Sequence, residues 1–203
     1  MDSSSHVFIL SAILMLLVSQ SMATVAPSEL VEDVCTEIEK LMMAYGERSG
    51  YVAKYDECVN ALQMDPRTAT ANITTLAEIS VQLAISGAKN AEALIEHLLG
   101  NTTPSSREPL QNCLSSYVNI TGHFENALSG LSAGLQSSKF DIAGVLDLVK
   151  ICELELTKNQ THILQLTNRN HYTRMFVEIS EFLITRLELY HIANGFTQTR
   201  TQG

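Results

Sequence analysis

The stretch Leu110–Leu135, LQNCLSSYVNITGHFENALSGLSAGL, carries apolar residues at Leu110, Cys113, Tyr117, Ile120, Phe124, Leu128, Leu131 and Leu135, every step three or four. That spacing lays one apolar stripe along a helix and leaves no run of alternation for a strand. The segment before it repeats the pattern at Ile73, Leu76, Ile79, Leu83, Ala84, Gly87, Ala91, Leu94, Ile95 and Leu98, and stops at Gly100, a residue suited to a left-handed helix terminus. The polar loop Asn101–Ser106 joins the two. After a break at Gln136-Ser137-Ser138, a third segment covers Asp141 to Thr157, with Ile142, Val145, Leu148, Val149 and Cys152 on one side. A fourth begins near Asn168 or Asn170 and carries Tyr172, Met175, Phe176, Ile179, Phe182, Leu183, Arg186 and Leu187. Short connections force neighbouring helices to run antiparallel, so residues 67–190 predict an up-down-up-down four-helix bundle in an all-α protein. Residues 191–203 remain as a polar tail, expected to be disordered from Thr197 onwards.

A helical hairpin is predicted over residues 24–66, ahead of the bundle. Leu30, Val31, Val34, Cys35, Ile38, Leu41 and Met42 share one face of its first arm, with Ser28 placed to cap it. Gly46-Glu47-Arg48-Ser49-Gly50 makes the turn, and Tyr51, Val52, Tyr55, Cys58, Val59 and Leu62 form the second arm up to Asp65-Pro66. Each arm presents one cysteine.

The chain opens with an apolar run, Val7–Val18, followed by Ser21-Met22-Ala23, which reads as a secretory leader over residues 1–23 cleaved after Ala23. The run is shorter than the roughly 20 apolar residues that span a bilayer. Secretion takes the chain to an oxidising compartment, where the four cysteines Cys35, Cys58, Cys113 and Cys152 pair as bridges. Three pairings are open. The local one, Cys35 with Cys58 and Cys113 with Cys152, closes the hairpin and ties the second bundle helix to the third, each bridge contributing on the order of 3–4 kcal/mol. Sequons at Asn72, Asn101, Asn119 and Asn159 suit a glycoprotein.

The net charge of −9 includes Asp2 of the leader, which leaves −8 on the mature chain. An acidic surface argues against nucleic acid and anionic membrane and would suit a basic protein partner. Known catalytic patterns are missing: no phosphate-cradling glycine loop, no H-E-x-x-H and no C-x-x-C, and the six histidines have no metal-ligand spacing. Gly130-Leu131-Ser132-Ala133-Gly134 spells G-x-S-x-G, but that motif needs a strand before it and here follows a helical pattern. No enzyme, cofactor or metal is expected. A ligand carrier would need a cavity between the helices, and the Leu, Ile, Val and Phe content predicts a filled interior instead.

In order along the chain, Tyr55-Asp56-Glu57-Cys58-Val59-Asn60-Ala61-Leu62, Asp65-Pro66-Arg67, Leu110-Gln111-Asn112-Cys113-Leu114-Ser115-Ser116-Tyr117 and Ile179–Leu187 resemble the plant invertase and pectin methylesterase inhibitor family. The resemblance covers the mature chain. It implies the hairpin-plus-bundle fold, the local cysteine pairing and stoichiometric, 1:1 binding to a carbohydrate-active enzyme of the cell wall. Two departures stand out: the interval from Cys35 to Cys58 is longer than is usual in the family, and Leu146–Ile151 lacks the family's small residues.

Invertase inhibitors of this family place Pro-Lys-Phe in the hinge between the second and third bundle helices, and this chain has Ser138-Lys139-Phe140 there. The resemblance therefore implies that Lys139 and Phe140 enter the cleft of an acid invertase, where a retaining glycosidase holds two carboxylates about 5 Å apart. The plainer alternative makes Lys139 a solvated loop lysine and Phe140 a hydrophobic staple under the hinge. Serine in place of proline predicts a less pre-organised loop. Pectin methylesterase is the other target the family implies, and a secreted bundle with no inhibitory activity, structural or allergen-like, is a reading from another class. The protein is expected in the apoplast, with the vacuole as alternative, as a monomer or a dimer that exchanges hairpins.

Overall fold

The computed structural model describes residues 26–45, 53–158 and 163–200. The leader, the hairpin turn at Gly46–Gly50 and the Asn159 sequon lie outside them. Helices α1 (Glu29–Tyr45) and α2 (Tyr55–Leu62) form the hairpin, a short 3-10 turn spans Pro66–Thr70, and α3 (Ile73–Gly100), α4 (Pro104–Ala133), α5 (Leu135–Lys158) and α6 (Leu164–Arg200) form the bundle. Among the described residues no strand occurs. Successive bundle helices pack on one another and α3 closes the ring against α6, while α1 packs on α2 and reaches α6.

The predicted apolar stripes face inward. Leu76, Ile79, Ile95, Leu110, Tyr117, Ile120, Phe124, Ile142, Phe176 and Ile179 are fully buried. Caps set the starts: Asn72 Oδ1 accepts from Thr75 N–H at 2.9 Å ahead of α3, and Asp65 Oδ1 accepts from Arg67 N–H at 2.9 Å ahead of the 3-10 turn. Ser28 Oγ accepts from Val31 N–H at 3.4 Å and donates to the Thr68 carbonyl at 3.0 Å, so one hydroxyl caps α1 and ties it to the 3-10 turn. Arg186 of α6 reaches Asp33 of α1 at 2.7 Å and Glu37 at 3.6 Å.

Both bridges take the local pairing. Cys35–Cys58 joins α1 to α2 with Cα atoms 5.6 Å apart, and Cys113–Cys152 joins α4 to α5 with Cα atoms 4.4 Å apart. The first bridge spans an ordinary distance although its cysteines stand 23 residues apart, and the turn between its arms lies outside the described residues.

Three boundaries differ from the sequence reading. Gly100 stays helical, and α3 ends at Asn101 (φ −124°, ψ 17°), whose N–H bonds the Leu98 carbonyl, so no left-handed terminus forms. Helix α6 starts at Leu164, with Leu166 and Thr167 N–H groups on the Ile163 carbonyl at 3.0 Å, and it buries Leu166. It also continues to Arg200, through most of the stretch expected as a polar tail. Polar composition removes a reason to bury a face, but it does not prevent the backbone from extending an existing helix. A further difference concerns the predicted hinge and is described below.

Candidate functional site

The connection from α4 to α5 is a single residue, Gly134, and Gln136–Phe140 belong to the first turns of α5. This corrects the reading of Ser138-Lys139-Phe140 as a loop. The pattern breaks at Gln136-Ser137-Ser138, and serine hydroxyls can compete with a helix for backbone groups. Here those hydroxyls fasten the helix start instead. Gly134 N–H donates to the Gly130 carbonyl at 2.7 Å, Ser137 Oγ donates to the Gly134 carbonyl at 2.7 Å, and Ser138 Oγ donates to the Ala127 carbonyl at 2.9 Å. Ser138 is fully buried. Its seat exists because residue 130 is glycine: a Cβ there would collide with Ser138 Oγ and stand 3.2 Å from Ser137 Oγ. The corner is thus held by hydrogen bonds and close approach, where the sequence reading looked to proline for rigidity.

Two side chains with different surroundings project from this corner. Phe140 is 78% exposed, so it is no staple under the hinge. Lys139 lies against α6, its Nζ 3.1 Å from Glu188 Oε2, and its side chain keeps 26% of its surface. It is therefore not a free loop lysine. One residue on, Asp141 Oδ1 meets His123 Nδ1 of α4 at 3.1 Å, and the His123 ring lies 3.3 Å from where a Cβ on Gly144 would sit. The site so composed offers an exposed apolar ring on a fastened backbone beside an ion-paired ammonium, and it contains no nucleophile paired with a base. Among the described residues no cluster of three or more potential metal ligands occurs.

Glu188, Gly130 and the Ala127 carbonyl were not found from sequence. Lys139 and Glu188 are 49 positions apart, and no local spacing links them. The glycine in G-x-S-x-G was noticed for the wrong chemistry: Ser132 sits within α4 and donates to the Ser129 carbonyl at 3.4 Å.

Of the sequons, Asn72 caps α3, Asn101 follows its last residue, and Asn119 lies exposed in mid-α4 with Nδ2 on the Ser115 carbonyl at 2.9 Å. The bundle interior holds a polar cluster in which Tyr117 Oη donates to Asn170 Oδ1 at 2.7 Å, and burial pushes its phenol well above the ordinary tyrosine value; the buried hydroxyls of Ser80 and Ser180 meet at 3.2 Å elsewhere between α3 and α6. A hollow of about 330 Å³ is lined by Ala26, Pro27, Ser28, Gln63, Pro66 and Ala69 at the foot of the hairpin, outside the bundle. No helix among the described residues is long and apolar enough to cross a membrane.

Comparison with known proteins agrees with this architecture. A family model described as plant invertase/pectin methylesterase inhibitor matches residues 29–180. The "Putative invertase inhibitor" of Platanus acerifolia is 26% identical over 131 residues, covering 64% of this chain and 69% of that protein. Its namesake from Platanus orientalis is 25% identical over 128 residues, covering 62% and 71%. Among solved structures, a mutant form of a pectin methylesterase inhibitor from Arabidopsis superposes with a TM-score of 0.58 at 17% identity, over 64% of this chain and 88% of that one. A pectin methylesterase inhibitor from Arabidopsis thaliana gives 0.54 at 14% identity, over 74% and 95%. At such identities the structural likeness speaks for the fold alone. The family match begins at the first residue of α1, takes in both cystines and the α4–α5 corner, and ends within α6, and this chain belongs to the plant invertase/pectin methylesterase inhibitor family.

Proposed function

We propose that the chain is a secreted inhibitor of acid invertase that blocks its target with the α4–α5 corner, Phe140 entering the cleft and Lys139 meeting its carboxylates. The observation that carries this reading is the exposure of Phe140, 78%, on a backbone fixed by the buried Ser138. A large aromatic ring left in water is the kind of side chain that anchors an interface, and the backbone that carries it is already ordered by the corner. The ammonium of Lys139 suits a retaining glycosidase, whose two catalytic carboxylates lie about 5 Å apart. Two Platanus relatives carry invertase-inhibitor names, which favours the same target.

A second reading, inhibition of pectin methylesterase, rests on the family itself, whose description names both targets. Either way the chain acts 1:1 as an obstruction and performs no reaction itself, in the cell wall or, alternatively, the vacuole. Titration of the purified mature chain into an acid invertase and into a pectin methylesterase at mildly acidic pH separates the two. Loss of sucrose hydrolysis at equimolar protein supports the first; loss of demethylation with sucrose hydrolysis intact replaces it with the second.

A further inference from the structure

Lys139 does not stand ready at the corner: its ammonium is engaged by Glu188 at 3.1 Å. Around this pair, the other charged groups have partners of their own. Arg186, two residues before Glu188, turns to Asp33 at 2.7 Å and Glu37 at 3.6 Å on α1. Asp141, two residues after Lys139, faces His123 at 3.1 Å. His191, one turn beyond Glu188, is exposed. Lys139 is thus the cation placed against Glu188, and Glu188 keeps 32% of its side-chain surface, enough for water to take over when the ammonium leaves.

We propose that Glu188 is an intramolecular competitor for Lys139, which sets how strongly the corner binds an acidic enzyme cleft. The inference rests on the reading of Lys139 as a target contact. A neutral Lys139–Glu188 pair presents no net charge to a pair of catalytic carboxylates. Binding therefore requires the ammonium to exchange one carboxylate for others. The free protein is stabilised by the pair, and that stabilisation is subtracted from affinity. The pair also makes the corner less indiscriminate: an acidic surface that cannot outbid Glu188 does not capture Lys139.

The test is a double-mutant cycle with the mature chain, reading the inhibition constant against purified acid invertase for Lys139→Met, Glu188→Gln and the double variant. Glu188→Gln is expected to tighten inhibition about two- to five-fold, the range of a partly exposed ion pair, and to make it more sensitive to added salt. Lys139→Met is expected to weaken inhibition at least tenfold, and the double variant to match Lys139→Met within about twofold. If Lys139→Met weakens inhibition while Glu188→Gln leaves it unchanged or weakens it, the target contact stands and the competitor role falls. Equal tightening by Glu188→Gln in the Lys139→Met background also overturns the competitor role, since Glu188 would then act on the enzyme directly. Unchanged inhibition in Lys139→Met overturns both. Melting curves of all variants verify that the fold is intact.

Discussion

The Ser138 hydroxyl donates to the Ala127 carbonyl at 2.9 Å across the α4–α5 corner, and this bond, made between two helices joined by one residue, fixes where Lys139 and Phe140 emerge. By the resemblance drawn from the sequence, this serine stands where invertase inhibitors of the family carry proline. Replacing it by proline completes the motif but removes this bond and presses a ring into the space that Gly130 leaves open. Ser138→Pro is expected to lower Tm by about 3–8 °C and to give no tighter inhibition, as measured by calorimetry and enzyme assay.

Phe140 contributes little to stability because 78% of it is already in water. Phe140→Ala is expected to shift unfolding by less than about 0.5 kcal/mol while weakening inhibition of the target at least tenfold. A parallel loss of both would relocate Phe140 to the core, and an unchanged inhibition constant would remove it from the contact.

Tyr117 and Asn170 form a buried polar contact inside the bundle, at 2.7 Å. Removing the hydroxyl leaves Asn170 Oδ1 buried without its donor, so Tyr117→Phe is expected to cost about 1–3 kcal/mol in denaturant unfolding. The phenol's value is raised by burial, so its contribution is complete below the ordinary tyrosine range, near pH 10, and is lost as pH climbs toward the folded-state value. Spectroscopic titration is expected to find this tyrosine ionising only together with alkaline unfolding.

Asp65 is held below the usual carboxylate range by its hydrogen bonds from Arg67, chiefly from the guanidinium. A lowered value means that the ionised form stabilises the fold above the ordinary aspartate value and that the contribution disappears as pH falls through the folded-state value. Asp65→Asn retains a capping oxygen and deletes the charge. The variant is expected to unfold slightly more easily than the parent at about pH 6 and indistinguishably near pH 2.

Non-reducing peptide mapping is expected to return Cys35 with Cys58 and Cys113 with Cys152, and no free thiol. Loss of the buried second bridge by Cys113→Ala with Cys152→Ala should cost about 2–5 kcal/mol, read in urea.

Much of this was legible from spacing. The stripe through Tyr117, Ile120 and Phe124 needed only a period between three and four, and those residues are fully buried. What misled was polarity at helix ends. Gln136-Ser137-Ser138 and the residues after His191 resemble loops in composition, yet both stretches continue helices, because serine hydroxyls found carbonyls at Gly134 and Ala127 and because a polar sequence can still propagate an existing helix. At the candidate site, Lys139 and Phe140 were singled out through the resemblance to the family's motif, while Glu188, 49 residues away from Lys139, had no signal.

By itself the sequence determined that the protein is all-helical, which faces are buried, where the hairpin precedes the bundle, and which cysteines are close enough in the chain to be bridged locally, since each follows from periodicity and short connections. Only the tertiary structure decided that the corner is one residue wide, that Ser138 is its fastening, that Phe140 is left in water, and that Lys139 is engaged by Glu188. Those facts depend on how two helices approach at their ends, and packing between segments distant in the chain leaves no period to read.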